Sequence, residues 1–246
     1  MNVRINEFGQ PIGPPVSGWH SRPLPPRTPM VGRHVSVVPI ELDRHAADLF
    51  RAYMRAPDAR DWTYLFVERP QTLERFREYL SACAASDDPL HQVIVDVITG
   101  KALGTAAYHR IDAAHGVIEV GSITFSPLLK GARGGTEAMY LMMRRAFDEL
   151  GYRRYEWKCD SLNAPSRAAA LRYGFTFEGI FRQAVVYKGR NRDTAWYAIT
   201  DDDWPRIRQA FETWLDPQNF DAEGRQRRRL ADIRRDLATL TPRPGS

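Results

Sequence analysis

Cysteine is scarce in this chain, with two residues in 246, Cys83 and Cys159. That excludes a small scaffold built on disulfides. Both residues sit in apolar-patterned segments, which reads as reduced, partly buried thiols. No His/Cys cluster has metal-ligand spacing, so no metal is expected. No apolar run approaches the roughly 20 residues that a membrane span needs. The N-terminus lacks the charged-then-apolar layout of a signal peptide. A cytoplasmic location with no membrane partner is therefore expected. Two phosphate-binding motifs are also missing. There is no Gly-x4-Gly-Lys-Ser/Thr, which excludes a P-loop, and no Gly-x-Gly-x-x-Gly opens a βαβ unit. The sequence has no internal repeat.

What is present is an ordinary globular composition. At 43% hydrophobic and 26% charged residues, the chain can bury a sizeable core. Its length suits one domain with extensions. The net charge is +5, and residues 151–193 alone carry nine Lys/Arg against four Asp/Glu. A local basic patch of this kind suits a small anionic ligand better than nucleic acid.

Prolines crowd residues 1–32, Pro14-Pro15 and Pro25-Pro26 among them. They remove donors and fix φ, so an extended N-terminal arm is expected there. The expected domain occupies 33–215. It opens with a strand over Arg33–Pro39. A helix capped by Asp43 follows to about Met54, then an aromatic loop at Asp61–Val67. Thr72 caps a second helix to about Ala84. Strands follow at His91–Ile98, Leu103–Ile111 and Val117–Phe125. A long helix runs to Leu150, with Met139, Met142, Met143, Ala146 and Leu150 as core filler and Gly151 as its C-cap. Arg154–Cys159 is a strand, Ala164–Tyr173 a short helix, and Thr176–Tyr187 pairs with Thr194–Thr200. The tail, 216–246, holds six arginines against one aspartate over residues 225–235. It reads either as a solvated helix face or as a helix for a partner or second copy.

The densest chemical signal lies between Glu119 and Phe175. The turn Lys130-Gly131-Ala132-Arg133-Gly134-Gly135-Thr136 leads into the long helix. Glycines let backbone approach a ligand, and a helix start offers free N–H groups and the positive end of the dipole. A pyrophosphate fits such a turn; a plain strand-to-helix connection is the alternative. After the next strand comes Asn163-Ala-Pro-Ser166, and eight residues later Gly174-Phe175.

These pieces, with Trp62-Thr-Tyr64-Leu65, Ile118-Glu119-Val120-Gly121 and Lys188-Gly-Arg-Asn-Arg-Asp193-Thr-Ala-Trp196, resemble the GNAT superfamily of acyl-CoA N-acyltransferases, in particular its RimJ/RimL-type branch. The resemblance covers roughly residues 19–205. It implies an α+β, three-layer fold. Its sheet is mixed, mostly antiparallel, of about seven strands, splayed between the fourth and fifth, with helices on both faces. It further implies acetyl-CoA as cosubstrate, held by Ile123, Thr124, Phe125, Lys130, Gly131, Ala132, Arg133, Gly134, Gly135, Thr136 and Asn163. Arg133 stands where the superfamily signature usually has glycine. Its side chain either crowds the pyrophosphate or swings out to pair with a phosphate.

Acyl transfer to an amine needs a base, an oxyanion donor and help for the leaving thiolate. An α-amine has a pKa of about 8 and a lysine amine one of about 10, so the base matters more for the second. Glu119 is the candidate base; a salt-bridged strand residue is its plain alternative. His109 and His115 are weaker candidates. Many superfamily members place a tyrosine seven residues after the asparagine, where this chain has Ala170. Ser166 is then the donor to the thiolate, or a helix cap, or both. A backbone N–H near Thr124 or Phe125 is the expected oxyanion donor. Trp62, Tyr64, Tyr108, Trp157 and Arg182 are candidates for the acceptor pocket. The expected activity is acetylation of a primary amine, a protein N-terminus or a small molecule, by direct transfer. No Cys–His pair suggests an acyl-enzyme. Two rivals stand beside it: a non-catalytic acyl-CoA binder, and a nucleic-acid or assembly protein acting through the arginine-rich tail. A homodimer stays open.

Overall fold

The computed structural model describes residues 3–240. The first two and last six residues, ends of the two expected extensions, lie outside that range. A small exposed hairpin comes first, β1 (Arg4–Ile5) and β2 (Pro11–Ile12). The main sheet has eight strands: β3 (Met30–Val31), β4 (Val35–Pro39), β5 (Leu90–Asp96), β6 (Ala102–Asp112), β7 (Val117–Phe125), β8 (Arg154–Asp160), β9 (Thr176–Tyr187) and β10 (Arg190–Thr200). Their order is β3-β4-β5-β6-β7-β8-β10-β9. All pairs are antiparallel except β7 with β8. The sheet expected to hold about seven strands gains one through β3, which proline-rich sequence had concealed.

Among the described residues six α-helices accompany it: α1 (Leu42–Tyr53), α2 (Leu73–Ala85), α3 (Arg133–Arg144), α4 (Ala164–Tyr173), α5 (Trp204–Leu215) and α6 (Leu230–Leu240). α1 starts at an uncapped Glu41, two residues earlier than Asp43 suggested. Thr72 caps α2 as expected, its side chain accepting from the Arg75 N–H. α3 continues into one π-helical turn, Arg145–Glu149, and Gly151 then leaves it at φ 69°.

Because strand side chains alternate, each face of the sheet builds its own core. On one face α1 and α2 bury Ala46, Leu49, Tyr53, Phe76 and Leu80 against Val93 and Val95. On the other, α3, α4 and α5 cover Ile94, Tyr108, Ile118, Val120, Tyr155 and Trp157. The expected methionine filler, Met139, Met142 and Met143, is fully buried there. Each such side chain contributes about 1.5–3 kcal/mol by leaving water.

Glu137 ties α3 to the sheet edge. Its buried carboxylate accepts from the backbone N–H groups of Arg33, His34 and Val35 at 2.8, 2.6 and 2.9 Å. Gly32 is required beside it, since a Cβ there would lie 2.6 Å from the carboxyl carbon. The N-terminal arm is fastened at several points, Arg22 and Arg27 among them. The Trp19 indole donates to the Ala114 carbonyl, and the buried Arg145 donates to the Thr28 and Pro29 carbonyls at 2.6 and 3.0 Å.

Candidate active site

Pairing between β7 and β8 runs from Val117↔Arg154 to Val120↔Trp157 and stops. Both strands continue, β7 to Phe125 and β8 to Asp160. A bulge at Ser122, φ 48°, bends β7 away at this point. The result is a gap through the sheet, opening into a cleft of about 1690 Å³. The Ser126 N–H bonds the Leu103 carbonyl on β6. By strand alternation, Ile123 and Phe125 turn their backbone groups the other way, into the gap. This favours Phe125 over Thr124 as backbone donor.

The gap joins two chemically different faces. Trp157 points into the larger core, against Tyr173 and Phe175, and its indole donates to Ser166 Oγ at 3.0 Å. Ser166 thus accepts one hydrogen bond and keeps its own proton to donate. Its position is fixed by Asn163, which caps α4 by accepting from the Ser166 N–H at 3.2 Å. Burial pushes the neighbouring Cys159 thiol up, against a hydrogen bond with Ser166.

Lys158, the next residue, points to the opposite face. Its Nζ lies 3.0 Å from Glu119 Oε2, 2.6 Å from Glu156 Oε2 and 3.8 Å from the centre of the Trp196 ring. Arg110 Nε is 3.3 Å from the same Glu119 oxygen. Burial raises the Glu119 pKa above the ordinary carboxyl value, and the two cations only partly offset it. Burial acts on Glu156 too, but hydrogen bonds from Lys158 and Arg154 outweigh it and lower its pKa. One carboxylate of the pair is therefore held ionised while the other is made more basic. Opposite Glu119 on β6, burial pushes His109 down to about 4, as it does His91. Both are neutral near pH 7.

The phosphate-type turn behaves differently from one residue to the next. Lys130, Gly131, Ala132, Arg133, Gly135 and Thr136 line the cleft. Gly131 takes φ 72°, and Ala132, the N-cap of α3, gives no side-chain cap to the first N–H groups. Those donors fit a phosphate. Gly134 instead faces the core, where a Cβ would lie 2.6 Å from Val35 Cγ1. Lys130 forms an ion pair with Asp61. Arg133 swings off the turn, its guanidinium 4.0 Å from the Phe220 ring centre. Uncapped donors, a roomy cleft and guanidinium groups at its mouth together suit a coenzyme A molecule.

The structure brings Glu119, Ser166, Ile123, Phe125, Asn163, Tyr64 and Trp157 to one cleft. Five expected residues sit elsewhere. Thr124 is buried, its carbonyl taken by the Tyr53 hydroxyl, and Gly134 packs on β4. Trp62 lies in the smaller core, edge-on to Tyr53. Tyr108 is inaccessible, its hydroxyl bound to the Met142 carbonyl at 2.8 Å. Arg182 lies on the exposed strand β9. Sequence reasoning missed Glu156, Lys158, Arg172, Trp214 and Phe220. The first two carried a signal. Charged residues Arg154, Glu156, Lys158 and Asp160 alternate along β8 with Tyr155, Trp157 and Cys159, which marks a strand with one polar face.

Among the described residues no set of His, Cys, Asp and Glu could hold a metal ion, and no helix is long and apolar enough to cross a membrane. No protein of curated function matches the chain. Among solved structures, a GCN5-related N-acetyltransferase from Brucella melitensis is 45% identical, covering 89% of this chain and 100% of that one, with a TM-score of 0.88. A probable GNAT-family acetyltransferase from Chromobacterium violaceum is 41% identical over 80% of this chain and 98% of its own, TM-score 0.74. The microcin C7 self-immunity acetyltransferase MccE, solved with acetyl-CoA and AMP, shares the fold at 19% identity and TM-score 0.58, over 72% of this chain and 98% of its own. Residues 34–176 match the acetyltransferase (GNAT) domain model. With more than half its length in that domain and 45% identity to the Brucella protein over 89% of the chain, the chain belongs to the GNAT family of acetyltransferases.

Proposed function

We propose that the protein is an acetyl-CoA-dependent N-acetyltransferase of the RimJ/RimL type, acting in the cytosol on a primary amine by direct transfer. The observation that carries this reading is the gap itself. Glu119 and Ser166 lie on opposite faces of the sheet, and both face the opening between β7 and β8. An acyl donor and an amine that enter from the two faces meet there. Glu119, made more basic by burial, takes the proton of the amine directly or through a water. The Phe125 N–H faces the developing oxyanion. As the new C–N bond forms and the C–S bond breaks, Ser166, polarised by the Trp157 indole, donates a hydrogen bond to the leaving thiolate and keeps its proton. Acetyl-CoA would supply the thioester and leave as coenzyme A, its phosphates held by the turn at 130–136.

The acceptor side is lined by Tyr64, Phe66, His91, His109, Glu119 and Trp196. That mixture of aromatic faces and one basic carboxylate suits a cationic amine beside an apolar group. Such an acceptor is either an N-terminal residue or a small aromatic amine. The test is thiol release from acetyl-CoA over a panel of N-terminal peptides and small amines. Release with at least one of them is expected. Tight acetyl-CoA binding with no release on any amine would instead favour a non-catalytic binder.

A further inference from the structure

The C-terminal segment beyond the family domain contributes to the cleft. Trp214, Phe220, Gly224, Arg225 and Gln226 all line it, and all lie after residue 176. The segment is built, not draped. Phe220 bridges Gln226 across a tight turn, with Gly224 at φ 78°. Asn219, buried, pins both ends by donating to the Trp214 and Arg228 carbonyls and accepting from the Arg228 N–H. Trp214 packs edge-on against Phe220 and donates to Gln226 Oε1 at 2.8 Å.

Two guanidinium groups rest on this aromatic pair. Arg133 lies 4.0 Å from the Phe220 ring centre, and a Cβ on Gly224 would come within 2.9 Å of its Nη2. Arg172 lies 5.3 Å from the Trp214 ring centre and donates to Thr136 Oγ1 at 3.0 Å. Residues 133 and 136 are neighbours on one face of α3, so the two cations flank the same spot. Among the described residues neither guanidinium meets a carboxylate. Arg225, also at the rim, differs: Asp221 and Glu223 neutralise it at 2.8 and 3.0 Å. Two cations held by stacking in a cleft, with their charge uncompensated, are a site for an anion.

We infer that Arg133 and Arg172, positioned by Phe220 and Trp214, form a subsite for the 3′-phosphate of coenzyme A. This rests on the acyl-CoA reading above and assigns the part of that ligand which the turn does not hold. The uncapped N–H groups of the first turn of α3, from residue 133 onward, suit the pyrophosphate. Arg133 is drawn off that turn, toward the C-terminal segment, where the third phosphate of the nucleotide is the remaining anion. A glycine at position 133 would lack this group, and a chain ending before Phe220 would lack its support.

The test compares coenzyme A with dephospho-coenzyme A, which lacks only the 3′-phosphate, by isothermal calorimetry on the full chain. Wild-type protein is expected to prefer coenzyme A by roughly tenfold or more, the size of one charge-assisted hydrogen-bond pair. Arg133→Gln and Arg172→Gln, on separate helices, should each cut that preference severalfold and leave dephospho-coenzyme A binding within about twofold. Phe220→Leu should act in the same direction through Arg133. Equal affinity of wild type for the two ligands overturns the subsite and leaves the acyl-CoA reading standing. So does an equal loss for both ligands in the variants. If wild-type protein binds neither ligand, both readings fall.

Discussion

At the residue scale, the proposed chemistry turns on Glu119 and Lys158. Glu119→Gln removes the proposed base without changing its shape, so kcat should fall about 10²-fold or more while coenzyme A affinity stays unchanged. Steady-state kinetics with calorimetry separates the two. The same carboxyl should give an acid limb in the pH profile of kcat/KM. Because burial raises its pKa, that limb is expected above the ordinary carboxyl range, and Glu119→Gln should abolish it. Lys158→Met should move the limb further upward, since the ammonium favours the ionised form. The two neutral histidines act on stability. His91 and His109 fall from an ordinary 6.5 to about 4 on folding. Their contribution is complete above pH 6.5 and is lost as pH falls toward 4. The melting temperature should drop over that window, and His91→Gln should flatten the slope; an unchanged slope would contradict it. What sequence revealed of the site was its local part. Asn163 and Ser166 sit three residues apart on one turn, so their geometry is encoded nearby. Lys158 finds its partners only through the parallel register of β7 and β8, which no spacing rule contains. Trp62 and Tyr108 misled for the opposite reason: an aromatic residue beside a polar motif serves a core as readily as a pocket.

At the element scale, caps and anchors hold the site in place. Asn163→Ala removes the cap of α4 and should cost about 1 kcal/mol of stability. It should also lower kcat, because Ser166 is oriented by the same contact. Glu137→Gln acts through structure alone. One carboxylate serves three buried N–H groups, and an amide cannot serve them all equally well. A loss of about 2–3 kcal/mol is expected in urea unfolding, with the acetyl-CoA KM unchanged in the folded protein. Each helix placed within 43–173 from sequence is found, because apolar stripes and signals such as Thr72 and Gly151 are local. β3 was hidden because its two residues pair only after the chain has turned at Gly32.

For the whole molecule, the extensions matter unequally. Residues 3–17 are largely exposed, whereas Trp19, Thr28 and Pro29 hold the body of the domain. Deleting residues 1–17 should leave the melting temperature within about 2 °C. Deleting residues 1–29 should lower it by several degrees, as Arg145 loses both carbonyl acceptors and each kcal/mol is worth about 2–4 °C at this size. The arginine-rich tail is mostly engaged within the chain. Arg225 pairs with Asp221, Arg228 with Asp236 and Arg235 with Asp232. Arg234 donates to the Leu171 and Arg172 carbonyls at the end of α4. Composition alone showed a basic run; only the fold shows where its charges go.

The four residue pairs that join β7 to β8 are also, among the described residues, the only ladder between two half-sheets, five strands on one side and three on the other. Mechanically the molecule is two plates riveted along one short seam, with the proposed chemistry at its unriveted end. In hydrogen–deuterium exchange, the amides of Ile123 and Phe125 should exchange much faster than those of Ile118 and Val120. An acyl-CoA thioester laid along the open edge would close that seam as an added strand does, and should slow exchange at the first two.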